Sequence, residues 1–565
     1  MASKSLISHN KYPIIALLLV IVSILPSAGA RYEKELADGV RLIQDVNTDP
    51  SAANVVTVLC IDPKKPGVKL VSTLAGDNVM DVDATKGRET ISKLVARKGA
   101  LAGINADFFP FTGDPLGLAI TGGVLVSEPM NRAAVGITDK GQVVFDRLSY
   151  TGTLTTASNV VWPLRGINRP RGQNELVLLT PIYGKTTGGQ AGAEAVVKIE
   201  GEIKANTDIV ATVVSDPAPA ADIPIPADGA VISTHGRSAD FLMQSIRAGD
   251  KLTLRFNITT AFNSDWSSVM EAVGGGPWLV RNGQVFIDAT DEGFDSSFTR
   301  GRHPRTAIGV NSSGEILLVA VDGRQSISRG MSLEEMAGLM KSLGAVNAIN
   351  LDGGGSTALS IKGVVSNSPS EGIERPVANA LLVYANPRPT PAIKVKFSDD
   401  GPLTAASGEG RLLQLVDEST GQPVDEQTKR SIVWGTTGGI GFVNQEGWFV
   451  PIKARNGAVT AIIGDQKVQL SVKVVPGKPT KLTAKMVTDP APVQGTAQIE
   501  VKLTDSNGNV IPDAVVTISV AKGTPDCASK TTNDKGIALF DIIWNSVDEK
   551  GSVKVTSGSL SAEVK

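Results

Sequence analysis

Residues 348–359 read A-I-N-L-D-G-G-G-S-T-A-L, an apolar run that ends in an Asn, an Asp and three consecutive glycines. In an extended chain residues two apart share a face, so Asn350 and Asp352 are expected side by side, with Ile349 and Leu351 packed on the other face. A carboxylate in that place suits acid, base or nucleophile chemistry. Gly353, Gly354 and Gly355 let backbone amides approach an anion closely. Nucleotide-binding loops are a poor match, because no G-K-[ST] follows the glycines and residues 357–361 read as a further strand. The competing reading is a Gly-rich hairpin whose Asp352 satisfies turn amides.

The pattern has an echo. Residues 103–109 read G-I-N-A-D-F-F, so that helix, Gly, apolar strand and Ile-Asn-x-Asp occur twice in the chain. If the two strands lie together, Asn105, Asp107, Asn350 and Asp352 present two amides and two carboxylates to one cleft. Two arginine-bearing strings lie between them: R-H-P-R-T-A-I-G at 302–309 and V-D-G-R at 321–324. An Arg beside a strand end grips a phosphate in bidentate fashion, and a neighbouring carboxylate holds its orientation. A serine hydrolase would want a G-x-S-x-G elbow and a base, yet beyond residue 30 the histidines are His235 and His303 alone. Zinc chemistry would want clustered His or Cys, which the chain lacks.

These groups need elements to hold them. Ser332 and Glu335 have capping-box spacing, Leu333, Met336, Ala337, Met340 and Leu343 recur on one helical face, and Gly344 stands at the C-terminal cap. Ile91, Leu94 and Val95 predict a second helix, closed by Gly99. Short β-branched or apolar runs at 55–60, 67–73, 124–127, 308–310, 316–321 and 381–384 predict strands. Residues 31–385 thus read as an α+β catalytic unit rich in β-strands with a few helices. Within it 143–262 is a β-rich insert, and its Pro-rich stretch 216–226 is a surface loop. A Pro-rich linker at 386–392 leads to two all-β units, 393–475 and 476–565, whose alternation predicts small sandwiches. The last resembles invasin-type bacterial Ig-like repeats, and the first resembles bacterial Ig-like modules less closely.

The charge balance of -2 gives no footing for nucleic acid. Lys4 and Lys11, the apolar residues 14–25 and the A-G-A at 28–30 form a secretory signal with cleavage after Ala30. The apolar stretch is shorter than the roughly 17–25 residues that span a bilayer, so the expectation is export without a membrane span, and release or retention at the cell wall. Cys60 and Cys527 fall in different units and are expected unpaired.

Taken with S-L-E-E-M at 332–336 and N-L-D-G-G-G-S-T at 350–357, the strings at 103–109, 302–309 and 321–324 resemble the phosphodiester glycosidase family over the catalytic unit. The resemblance implies hydrolysis of a sugar-1-phosphodiester, N-acetylglucosamine-1-phosphodiester-like, in a cell-wall or exopolysaccharide glycan. It implies Arg305, Arg324 and the Gly353, Gly354 and Gly355 amides around the phosphate, with Thr306 and Ser356 as hydroxyl donors. Asp107 and Asp352 then share the work of activating water and stabilising an oxocarbenium-like sugar. Asn105, Asn350 and Asp322 bind substrate or fix the carboxylates, and His303 is a candidate proton donor. No cofactor is required; a divalent cation on Asp107, Asp322 or Asp352 is compatible with the sequence. Two rivals stay open: a metal-dependent phosphodiesterase that breaks the P–O bond, and a non-catalytic surface adhesin.

Overall fold

The apolar runs fold into largely antiparallel sheets packed around shared cores. The computed structural model describes residues 29–80, 87–110, 112–189, 191–386, 394–399, 401–487, 495–544 and 551–564. Most of the signal segment and residues 387–392 of the linker lie outside the described residues.

Five strands form the heart of the first sheet, in the spatial order Asn54–Ile61, Ile316–Val321, Arg305–Asn311, Ala345–Leu351 and Trp278–Arg281. Both faces are covered, which explains why these strands are continuously apolar rather than alternating. One face packs Ala307, Val319 and Ala348 against the helix Leu333–Ser342 through Met336 and Met340. The other packs Ile308, Leu318, Ile349 and Leu351 against a second sheet through Ile104, Leu359 and Leu381. That second sheet runs Leu359–Ile361, Ala102–Asn105, Asn379–Tyr384 and Lys69–Leu74. The expected insert lies in a third, 13-stranded sheet, where Val143–Thr155 and Lys251–Thr260 pair antiparallel beside Arg132–Thr138 and Val269–Gly274.

Local signals hold where local physics sets them. The Ser332 hydroxyl accepts from the Glu335 amide at 3.2 Å, and the Glu335 carboxylate accepts from the Ser332 amide at 2.9 Å, closing the capping box. Gly99 and Gly344 follow their helices with φ of 63° and 87°, a left-handed conformation that a Cβ disfavours.

The unit after the linker has its own core, built on Phe397, Trp434, Phe449 and Leu470, and also joins the catalytic unit. Val365 of the catalytic unit pairs with Thr436, so Val433–Thr437, Asn456–Ile463 and Gln466–Val475 extend the second sheet edge to edge. Lys34 donates to the Lys429 carbonyl and Asn444 to the Tyr32 hydroxyl, sealing the contact. Burial and removal of the ammonium from water hold Lys34 down to about 8. The final unit packs two four-stranded sheets on one core through Val501, Val516, Phe540 and Val555. Asn509 ties it to the preceding unit by donating to the Ile452 carbonyl and the Ser407 hydroxyl. Cys60 and Cys527 are free, and burial pushes the Cys60 thiol up to about 11. No helix among the described residues is long and apolar enough to cross a membrane.

Candidate active site

The two Ile-Asn-x-Asp strands belong to different sheets and meet at their ends. The Asp352 amide donates to the Ala106 carbonyl at 2.9 Å, and the Asn105 side-chain amide donates to the Asp352 carbonyl at 2.6 Å. Asn105 also accepts from the Thr306 hydroxyl at 3.0 Å and from the Ala358 amide at 3.1 Å. Asn105 is thus a girder between sheets that sets where both carboxylates sit.

Asp107 is 3% exposed. Its oxygens accept from the Phe108 and Gly117 amides at 2.8 and 2.7 Å, while its own amide donates to Asn379. Desolvation raises its pKa to about 7 against those two bonds and the Arg132 charge, and the Asp352 charge raises it further. Asp352, half-buried at the strand end, is also pushed up by desolvation, to about 6. A hydrogen bond from Ser356 and the charge of Arg375 partly offset that rise. The pair is therefore poised to hold or release protons near neutrality, as acid–base chemistry needs.

Other expected residues are placed differently. Strand residues alternate faces, so Arg305 and Thr306 cannot both line one site. Thr306 faces Asn105 and Thr357, fully buried, with no path to a catalytic role of its own. Arg305 points to the helix side, where it donates to the Phe298, Gly301 and Met331 carbonyls and stacks 4.9 Å from the Phe298 ring centroid. A guanidinium so committed is not the expected phosphate grip; burial and the Arg324 charge hold it down to about 10.

Asp322 is likewise consumed. It is 1% exposed and accepts from the Asn367 side chain and the Ser368 amide, which fixes the 366–370 loop rather than substrate. Burial pushes it up to about 7. Asn350 pairs across from Ala307, on the helix side, and donates to the Gly276 and Leu351 carbonyls. It does not project beside Asp352, because the strand ends at Leu351. The three glycines do not form an open nest: the Gly354 amide donates to Pro304, and the Gly353 amide bonds the Asp352 carboxylate. Gly355 is buried within the same turn, beneath Glu371 and Arg375.

Arg324 is the cation that stays available. It is exposed, adopts a left-handed φ of 59°, lies against Gly354 and meets His303 Nδ1 through Nη2 at 3.1 Å. Desolvation and the Arg305 and Arg324 charges hold His303 below its ordinary pKa, and its Nδ1 is engaged by the Arg324 guanidinium. Among the described residues no three His, Cys, Asp or Glu side chains converge as a metal site.

Sequence reasoning missed four contributors. Arg375 donates to Ser356 at 3.4 Å and pairs with Glu371. Arg132 lies 4.3 Å from the Phe294 ring centroid and 5.7 Å from that of Phe108, over an aromatic shelf next to Asp107. Glu292, raised by burial to about 7, accepts from the Trp278 and Ala133 amides. Asn379 orients the Asp107 backbone. Only the Phe108 string carried a hint; the others are single residues in unremarkable surroundings.

Residues 195–384 match the family model for phosphodiester glycosidase, a segment that holds Asp352 but not Asp107. The chain is 38% identical over 111 residues to N-acetylglucosamine-1-phosphodiester alpha-N-acetylglucosaminidase of Mus musculus, covering 18% of this chain and 21% of that protein. It is 43% identical over 82 residues to the SPbeta prophage-derived uncharacterized protein YomE of Bacillus subtilis, covering 14% of this chain and 13% of that one. The chain therefore spans 21% or less of the length of these curated relatives. The crystal structure of a hypothetical protein from Synechocystis superposes with a TM-score of 0.52 at 28% identity, over 62% of each chain.

Proposed function

We propose that this chain, whose residues 195–384 match the phosphodiester glycosidase family model, hydrolyses a sugar-1-phosphodiester, N-acetylglucosamine-1-phosphodiester-like, between the anomeric carbon and the phosphate oxygen. The observation that carries the reading is the meeting of two carboxyl groups of unequal exposure and raised pKa, Asp107 and Asp352, at one junction of two sheets. Asp352 is the more exposed and reaches the sugar. Its ionised form takes the proton of the attacking water and stabilises positive charge at the anomeric carbon. Asp107 behind it keeps its proton to about 7, which spares an anionic substrate a second negative charge.

A departing phosphodiester is a weak base, so its loss needs positive charge more than a general acid. Arg324 supplies that charge beside Gly354, and Arg375, itself paired with Glu371, adds a second guanidinium at Ser356. The Phe108 and Phe294 rings, tilted 49° to each other beneath Arg132, offer an apolar, cation-topped wall beside Asp107 for a sugar. Hydrolysis in oxygen-18 water is the test. Label in the sugar is the expected result, whereas label in the phosphate refutes the reading and favours P–O cleavage.

The natural substrate is proposed to be a glycan outside the cell or at its wall. Support comes from the signal-like residues 1–30 and from two C-terminal β units proposed as Ig-like modules. Detection of the mature chain in culture medium or on the cell surface, beginning after Ala30, tests the export half of that statement.

A further inference from the structure

A cavity of about 310 Å³ opens where the catalytic unit and both C-terminal units come together. Its walls carry Arg324 and Arg329 from the loop after Ile316–Val321, Lys453 from the first C-terminal unit, and Ser506 and Asn507 from the last. None of its nine lining residues is acidic. Arg324, Arg329 and Lys453 are bonded instead to the His303 ring, the Ser51 carbonyl and the Asn507 carbonyl. Among the described residues none of the three has a carboxylate partner.

The position is built rather than incidental. Ser326 donates to Asn507 at 2.8 Å, Asn507 donates to Ser407 at 2.9 Å, and the Ala454 amide donates to Asn509 at 2.9 Å, so all three units are tied at its rim. Arg455, beside Lys453, donates to the Gly372 carbonyl and brings a further cation to the same seam. Uncompensated cations along a concave wall focus a positive potential that attracts an anion. Because Arg324 belongs both to this cavity and to the site at Gly354, the positive lining continues outward from the scissile phosphate.

We propose that this cavity is a subsite for further phosphate groups of the substrate's leaving side, so that the preferred substrate is a polyanion with repeated phosphodiesters rather than one isolated diester. The proposal rests on the sugar-1-phosphodiester reading and assigns the C-terminal units a part in substrate selection. Arginine forks and a lysine ammonium suit phosphate oxygens. The volume falls at the lower end of the roughly 300–1,000 Å³ typical of ligand pockets.

The test uses the full chain, the double variant Arg329→Gln/Lys453→Gln, and Ser506→Glu, which adds a negative charge at an exposed lining position. Binding of a ten-phosphate polyphosphate is measured by titration calorimetry at fixed salt, and hydrolysis of methyl N-acetylglucosaminyl phosphate is followed separately. The expected result is polyphosphate binding weakened at least tenfold in both variants, with kcat/KM for the methyl diester within twofold of the parent. Equal affinity in parent and variants, or no binding by the parent, overturns the proposal. Failure of the parent to cleave the methyl diester at the C–O bond refutes the glycosidase reading instead, and the binding measurement still reads the subsite.

Discussion

Arg305→Met separates an arginine that holds the fold from one that holds phosphate. The side chain is 1% exposed, and its guanidinium donates to three carbonyls at 2.8, 2.8 and 2.9 Å. Met fills much of the same volume but donates to none of them. Hydrogen bonds from charged donors are worth about 1.5–3 kcal/mol each, so the gross loss is roughly 5–9 kcal/mol. Opposing it is the cost of keeping that charge out of water. The pKa is held down to about 10, and deleting the charge returns about 3 kcal/mol on the usual conversion. The expected net destabilisation is roughly 2–6 kcal/mol. In urea unfolding it should appear as a lower midpoint with an unchanged slope. Where the variant is folded, kcat/KM on a sugar-1-phosphodiester should stay within about threefold of the parent. An unaltered midpoint together with a KM raised tenfold or more would refute the argument, because that pattern belongs to a lost phosphate ligand.

Activity should rise through about pH 6 as Asp352 loses its proton and fall above about 7 as Asp107 does. The Arg132 charge holds Asp107 down, so Arg132→Gln should move the alkaline limb to higher pH; a limb that stays put sinks the assignment. For Asp322 the folded pKa lies above the unfolded one, so its share of stability is fully present below about 4 and is lost as pH rises toward 7. Asp322→Asn should therefore make the stability slope between pH 5 and 6 less negative by about 1.4 kcal/mol per pH unit, and identical slopes would contradict the burial argument. Ser332→Ala removes the acceptor of the capping box and should cost about 1 kcal/mol in chemical unfolding without altering kcat/KM. No change in the unfolding midpoint would show that the box contributes nothing to stability.

The helix Leu333–Ser342 was legible because every contribution to it is local: a cap three residues from its partner, a face repeating at helical spacing, a glycine able to turn left-handed. The strand ending at Leu351 was legible from its apolar run and the glycines beyond. The edge contact of the unit at 393–475 with the catalytic unit was not legible, because sheet pairing at Val365 and Thr436 joins distant edges and leaves no pattern in either segment. Arg132, Glu292, Arg375 and Asn379 were invisible for a related reason. Arg132 and Asn379 act on Asp107 from far away in the chain, and Glu292 and Arg375 reach Ala133 and Ser356 across intervening elements, so no short motif announces their roles.

What the sequence determined by itself is the chemical inventory: two aspartates at the ends of apolar strands, arginines in loops between them, and glycines that allow a tight turn. Only the tertiary structure decided which of those groups work together. A single residue step along a strand turns a side chain to the opposite face, and the identity of the faces depends on what packs there. The helix claims the Arg305 and Asn350 side, while the second sheet claims that of Thr306 and Asn105. Burial then selects among the acids: Asp322 is enclosed by the 366–370 loop, whereas Asp352 stays half-open at the junction beside Asp107. Residue type could not foretell this, since all three are aspartates that follow an apolar strand.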